Sequence, residues 1–122
     1  MRLREFAEPE LPNYIREFLP HVQQELKLDQ LPDIELCRRL PGDQTQSSFG
    51  MYKTDENTIY LIAADRNPVD VLRTLAHELA HFKQDQQGLL DKDSGHTGSR
   101  AENNANAQAG IIMRNYGQRH KF

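Results

Sequence analysis

The chain has 122 residues, of which 37% are hydrophobic, and its formal net charge is −3. This length fits one domain with one hydrophobic core, which we predict to span residues 1–122. The charge argues against a nucleic-acid binder held by bulk charge, and a single cysteine excludes an internal disulfide. No apolar run approaches the ~20 residues that cross a bilayer. Residues 1–8 lack the apolar segment of a secretion signal, so we expect a cytoplasmic protein without membrane contact.

The first half of the chain predicts a helix followed by a small sheet. Apolar residues recur at mostly helical spacing between residues 14 and 28, after Asn13, whose side chain can cap a helix. Pro20 would bend or split this helix. Three strand-like segments follow, and the polar residues between the second and third have the composition of a hairpin loop. The segments are residues 34–38, 49–53 and 58–63. We expect a three-stranded, mainly antiparallel sheet.

The second half predicts two helices. Asn67 is a strong N-cap residue and Gly88 a C-terminal one, which together bound a helix over residues 68–87. A polar, glycine-containing loop follows, and a last helix is expected over about residues 99–116, ended by Gly117. The predicted fold class is therefore α+β, with helices on a small sheet.

The segment His77-Glu78-Leu79-Ala80-His81 lies in the middle of the second predicted helix. Residues four apart differ by about 40° around a helix axis and about 6 Å along it, so both histidines project from one face. Two imidazole nitrogens placed in this way can bind one metal ion at the ~2.0–2.1 Å distances of tetrahedral zinc. Glu78 lies about 100° round from His77, which suits a general base better than a third ligand. A shuffled chain of this composition would contain the pattern with a probability of about 0.015.

A catalytic zinc site needs a third protein ligand, and two candidates lie downstream. Glu102 follows His81 by 21 positions, on the last predicted helix, whereas His96 follows it by 15 positions, in the loop. Glu102 has an alternative role, because it also completes a capping box with Ser99. The alternative to a ligand role for His96 is that it is only a solvated loop residue. The residues alone favour Glu102 and leave His96 open.

Two segments resemble the small gluzincin-type zincin metallopeptidases. Residues 75–84 contain the HExxH signature, and residues 101–110 contain the second motif of these families, E-x-x-A-N-x-x-A. The second segment matches that motif at each lettered position, which are Glu102, Ala105, Asn106 and Ala109. Similar domains occur in phage and mobile-element peptidases and in proteins associated with contractile injection systems. The resemblance covers roughly residues 69–113 and does not extend to the N-terminal half.

This resemblance implies a zincin-like fold and a zinc-dependent metallopeptidase, a hydrolase that acts on a protein or peptide substrate. It implies one Zn²⁺ ion held by His77, His81 and Glu102, with Glu78 as the general base. The net charge, independently of the resemblance, leads us to expect no nucleic-acid partner. If the chain is encoded by a phage, phage or injection-system structural proteins become possible partners and a virion-associated location becomes possible beside the cytoplasmic one.

Two other functions stay open at this point. The first is a non-enzymatic structural or assembly protein of phage virion or tail type that retains the zinc site. The second is an SprT-like protease, in which His96 would be the third ligand, because Gly95-His96-Thr97 stands near the spacing of that family. The basic DNA-binding segments of that family are missing from this chain, and Glu102 would then have no role beyond capping.

Several further residues are predicted to assist the site. Candidates to donate to a tetrahedral oxyanion are His96, Arg100 and Tyr116. Candidates to orient the histidines are Asn106 and either Thr74 or Asp70. Residues 49–53 or 58–62 are expected to supply an edge strand for substrate pairing.

Overall fold

The computed structural model describes residues 11–42, 49–89 and 100–119. Within these ranges it contains three helices and three strands. Their order is α1 (Asn13–Leu26), β1 (Asp33–Cys37), β2 (Gly50–Lys53), β3 (Thr58–Ile62), α2 (Pro68–Gln86) and α3 (Arg100–Arg119). This order confirms the predicted α+β class and the predicted layout of the elements. None of the helices in the described ranges combines the length and hydropathy that a membrane span requires.

The sheet is mixed, with strand order β1-β3-β2. β2 pairs antiparallel with β3, as the hairpin signal predicted, whereas β1 pairs parallel with β3. A parallel pair requires a long connection, which residues 38–57 provide here with β2 inside them. The antiparallel expectation therefore holds for one of the two strand pairs. Because β3 is central, β2 and not β3 is an edge strand beside α2.

One hydrophobic core lies between the sheet and the helices. The alternation of each strand turns Ile34, Ile59 and Leu61 toward the helices, where all three are fully buried. The face of α2 that packs there is the predicted apolar arc, and its members are Val71, Leu72, Leu75, Leu79 and Phe82. Burying this arc turns His77 and His81 toward α3, which is how the core sets the orientation of the site.

Both ends of α2 form as its local sequence predicts. The Asn67 side chain accepts a hydrogen bond from the Val69 amide at 2.8 Å, which satisfies one otherwise free N–H of the first turn. At the other end Gly88 has φ +72°, and the Leu89 amide donates to the Gln84 carbonyl at 2.8 Å. This is a Schellman motif, for which glycine is favoured because the left-handed conformation excludes most side chains.

The predictions for the other two helices differ from the structure in detail. Asn13 is the first residue of α1 and not its cap, which is Pro12, and Pro20 lies inside α1 without splitting it. α3 continues through Gly117 to Arg119 because Gly117 does not adopt the positive φ that ends a helix. The predicted start of α3 at residue 99, with its capping box, lies outside the described residues.

Candidate metal centre

The two ligand-bearing helices, α2 and α3, run antiparallel and pack against each other. Glu102, in the first turn of α3, reaches both histidines of α2. His77 Nε2 lies 3.0 Å from Glu102 Oε2, and His81 Nε2 lies 3.0 Å from Glu102 Oε1. The structure therefore brings together the three predicted ligands, which are separated by up to 25 positions in the chain.

The donor set fits a divalent metal ion. The three ligand atoms all lie within 4.8 Å of one another, and this is the one such group among the described residues. Tetrahedral zinc with bonds of ~2.0–2.1 Å places neighbouring ligand atoms roughly 3.3 Å apart, close to the nitrogen–oxygen distances seen here. Two imidazoles and one carboxylate are also a donor set that zinc accepts readily. All three side chains are mostly buried, and two of them, His77 and Glu102, line an open cleft.

His77 is held by a partner on α3. Its side chain forms a hydrogen bond with Asn106, one turn beyond Glu102, so the predicted partner lies in contact with it, and its role in orienting the ring stays a prediction. Burial lowers the pKa of His77, an effect opposed by the charge of Glu102 and by these hydrogen bonds and reinforced by the neighbouring His81. A lowered pKa favours the neutral imidazole, which is the form that binds a metal ion.

His81 is held by a residue to which the sequence assigned no role. Its Nδ1 atom lies 2.8 Å from Oε1 of Gln84, which is buried. Gln84 follows His81 by three positions, and residues at this spacing are neighbours on a helix. That spacing was the available signal, but it does not specify whether the glutamine side chain turns toward the histidine or toward solvent.

Thr74 and Asp70, the other predicted partners of the histidines, hold Arg66 instead, so that prediction is wrong. The Thr74 hydroxyl donates to the Asp70 carbonyl at 3.0 Å and accepts from Arg66 at 3.1 Å. Arg66 also donates to the Ile62 carbonyl at 2.9 Å and lies over the Phe49 ring, 4.1 Å from its centroid. This arginine thus links β3, the start of α2 and the residue that precedes β2.

Glu78 lies beside the three ligands but outside their group. Its side chain is only 9% exposed and accepts a hydrogen bond from the backbone amide of Tyr52. Burial raises the pKa of Glu78 to about 7, with Glu102 adding to the rise and with His81 and the Tyr52 amide opposing it. A carboxyl group with this pKa can both accept and release a proton near neutral pH.

The contact between β2 and Glu78 depends on Gly50. A Cβ atom at this position would lie 2.6 Å from the Thr74 methyl group and 3.2 Å from Glu78 Cγ. Any larger residue would therefore push β2 away from α2. The close approach lets the Tyr52 amide, which points away from β3 by the alternation of an antiparallel pair, reach the Glu78 carboxylate.

A cleft of about 390 Å³ opens beside the candidate ligands. The start of β2 forms one wall, and α3 forms the other with the small residues Ala109 and Gly110. Arg73, one turn before His77, lies at the end that is farther from Glu102. Phe49, which is 49% exposed, also lines the cleft. The cleft thus has the start of the edge strand in one wall and two of the candidate ligands, His77 and Glu102, in its lining.

The predicted oxyanion donors have different outcomes. Tyr116 is only 4% exposed and packs edge-on against Phe18, with ring centroids 4.8 Å apart, so it belongs to the core and that prediction is wrong. Arg100 is exposed at the start of α3, and its role stays a prediction. His96 lies outside the described residues, both as an oxyanion donor and as the alternative third ligand.

Comparisons of the chain with protein-family models, with curated proteins and with solved structures found no match.

Proposed function

We propose that this chain is a zinc-dependent metallopeptidase of the gluzincin type. His77, His81 and Glu102 would hold one Zn²⁺ ion, and Glu78 would be the general base. The observation that carries the proposal is the carboxylate of Glu102 lying 3.0 Å from the Nε2 atoms of both histidines, with the buried Glu78 beside them and outside their group. A carboxyl group beside the ligands is what a catalytic zinc site uses to accept a proton from water.

The chemistry divides between the metal ion and Glu78. A zinc ion bound there supplies Lewis acidity, which polarises a peptide carbonyl and acidifies water. Glu78 accepts the proton of the attacking water and later delivers it to the leaving amine. The Tyr52 amide fixes the Glu78 carboxylate on the β2 side of the cleft.

The cleft supports an extended peptide as the substrate. β2 is an edge strand, and the backbone groups of Gly50 face away from β3. A peptide that adds to this edge would pair with the main chain, so selectivity would depend on side chains at the cleft walls. We accordingly expect a protein or peptide substrate that is unfolded around the scissile bond.

The alternative is a structural or assembly protein that retains the metal site without hydrolysis. One observation favours it, because the three ligands join α2 to α3 and a bound ion would stabilise the packing of these helices. The two proposals share the ligands and differ in the role of Glu78.

Glu78→Gln separates these two functions. For the metallopeptidase, the parent cleaves an unfolded fluorescent-labelled protein, chelation abolishes cleavage and added zinc restores it. Glu78→Gln binds zinc as the parent does but is inactive, whereas Glu102→Ala loses zinc. Glu17→Gln, an exposed carboxylate on α1, is the matched control and stays active. A parent that binds zinc and cleaves nothing would favour the structural protein, and zinc binding unaffected by Glu102→Ala would overturn the ligand assignment.

A further inference from the structure

We propose that Gln84 is a positioning residue of the metal centre. Gln84 holds the His81 ring so that the Nδ1 atom of His81 is protonated and the Nε2 atom of His81 points toward the ion. The inference rests on the proposed metal site and concerns how the chain prepares one ligand. Gln84 lies three residues after His81 on α2 and is only 4% exposed. A buried primary amide is costly unless its oxygen and its two N–H groups find partners.

The partners of Gln84 determine which way its amide points. Nε2 lies 2.9 Å from the Ala101 carbonyl oxygen and 2.9 Å from Asn104 Oδ1. A backbone carbonyl can only accept a hydrogen bond, so the Gln84 atom that faces Ala101 must be the NH₂ group. The oxygen Oε1 is therefore the atom that faces His81. All the hydrogen-bonding groups of this buried amide are thereby satisfied.

This orientation fixes the proton on His81. Gln84 Oε1 can only accept, and it lies 2.8 Å from His81 Nδ1, so Nδ1 must carry a proton and donate it. The other ring nitrogen, Nε2, is the one that lies 3.0 Å from Glu102 Oε1 within the candidate ligand group. A hydrogen bond on the outer nitrogen selects which nitrogen of a histidine binds metal and also fixes the ring plane.

The same amide connects His81 to the third ligand. Its two acceptors, Ala101 and Asn104, lie on either side of Glu102 in the first turns of α3. Gln84 thus holds the imidazole with its oxygen and the turn that presents Glu102 with its nitrogen. The substitution Gln84→Glu separates these two roles. A carboxylate can still accept the hydrogen bond from His81, but it has no N–H groups to donate to α3.

The test measures zinc affinity by competition with a chromophoric chelator, on the full chain with zinc alone as the probe. We expect Gln84→Leu to weaken zinc binding about 10–100-fold, the range found when a partner of a metal-bound histidine is removed. Gln84→Glu keeps an acceptor for Nδ1, so its affinity should stay within about fivefold of the parent. Asn104→Ala removes one α3 acceptor and leaves the His81 bond, so its loss should be similarly small. Gln86→Leu, at an exposed position of the same helix, is the matched control.

The outcomes distinguish positioning from simple bracing of two helices. A Gln84→Leu variant with parental zinc affinity would overturn the inference and leave the proposed function intact. If Gln84→Glu loses as much as Gln84→Leu, the amide acts only as a brace and the inference is wrong. If Gln84→Leu does not fold by circular dichroism, Gln84→Glu decides, since bracing predicts weak binding and positioning predicts strong binding. A parent that does not bind zinc would overturn the inference together with the metal site.

Discussion

Helix α3 contacts two histidines at its N-terminal end and one in its C-terminal half, and the two surroundings differ in what they offer a metal ion. In its C-terminal half, His21 of α1 donates from Nε2 to the Ile112 carbonyl at 3.3 Å, and its ring packs against Phe18 and Tyr116 at centroid distances of 6.1 and 5.0 Å. At its N-terminal end, Glu102 extends a carboxylate to two histidines of α2 at 3.0 Å. The first end is a packed core, and the second is a cluster of nitrogen and oxygen atoms that could hold a metal ion.

The difference shows that burial of a histidine does not by itself indicate a ligand. His21 is 7% exposed and His81 is 9% exposed, so the two are buried to almost the same extent. They differ in their neighbours, because aromatic rings and one carbonyl supply no second ligand, whereas Glu102 and His77 do. We call the part of α3 that contacts Phe18 and His21 its aromatic end, and the part that contains Glu102 its metal end. Variants at the aromatic end should change the stability of the fold, and variants at the metal end should change zinc binding.

The largest effect is expected at the aromatic end. Phe18→Ala removes a fully buried ring that packs edge-on against Tyr116, and large-to-small changes of this kind cost about 3–5 kcal/mol of unfolding free energy. Phe49→Ala removes a ring that is half exposed and should cost far less. Urea unfolding of the metal-free proteins measures both changes. Equal destabilisation by the two variants would contradict the assignment of the core.

The second effect belongs to the metal end. Zinc at 100 times its dissociation constant should stabilise the parent by about 2.7 kcal/mol, because it binds the folded state alone. Glu102→Ala should lose this increment, whereas His21→Phe, at the other end of α3, should keep it even if its own stability changes. Urea unfolding with and without zinc measures the increments. A lost increment in His21→Phe would mean that the two ends are not independent.

Much of the candidate metal site was predictable because its determinants are local. The His77–His81 spacing, the Asn67 cap and the Gly88 terminus depend on helix geometry that a short stretch of sequence specifies. Glu102 required the resemblance as well, because the residues alone left His96 open.

Contacts between elements were less predictable. The roles of Gln84 and of the Tyr52 amide depend on how closely α3 and β2 approach α2, which no local pattern specifies. Tyr116 shares a helix face with Glu102, but 14 residues at 1.5 Å each place it about 21 Å along the axis. The parallel direction of β1 relative to β3 could not be predicted from the sequence either, because strand pairing depends on residues that are far apart in the chain.

A smaller effect is expected where β2 meets the last turns of α2. The Tyr52 hydroxyl donates to Asp85 Oδ2 at 2.5 Å, so Tyr52→Phe should cost about 1–2 kcal/mol of unfolding free energy and leave zinc affinity unchanged. Burial, with Asp85, raises the pKa of Tyr52 above its usual value. A raised pKa contributes stability that is present below the unfolded pKa of about 10 and lost as the pH rises above it. The difference in unfolding free energy between the parent and Tyr52→Phe should therefore become smaller between about pH 8 and about pH 11. A difference in unfolding free energy that stays constant across this pH range would contradict the hydrogen bond between Tyr52 and Asp85.

The smallest effect concerns Cys37, which lies at the end of β1 and outside the metal ligand group. Burial, with the charge of Glu35, raises the pKa of the Cys37 thiol. Because the thiolate is the reactive form, iodoacetamide at about pH 8 should alkylate Cys37 severalfold more slowly than a cysteine in a short peptide. Zinc should not change this rate, because β1 lies on the far side of β3 from β2, which borders the ligand cleft. If zinc protected Cys37 from alkylation in the folded protein, the ion would be bound near β1. The assignment of the zinc ligands to the metal end of α3 would then be wrong.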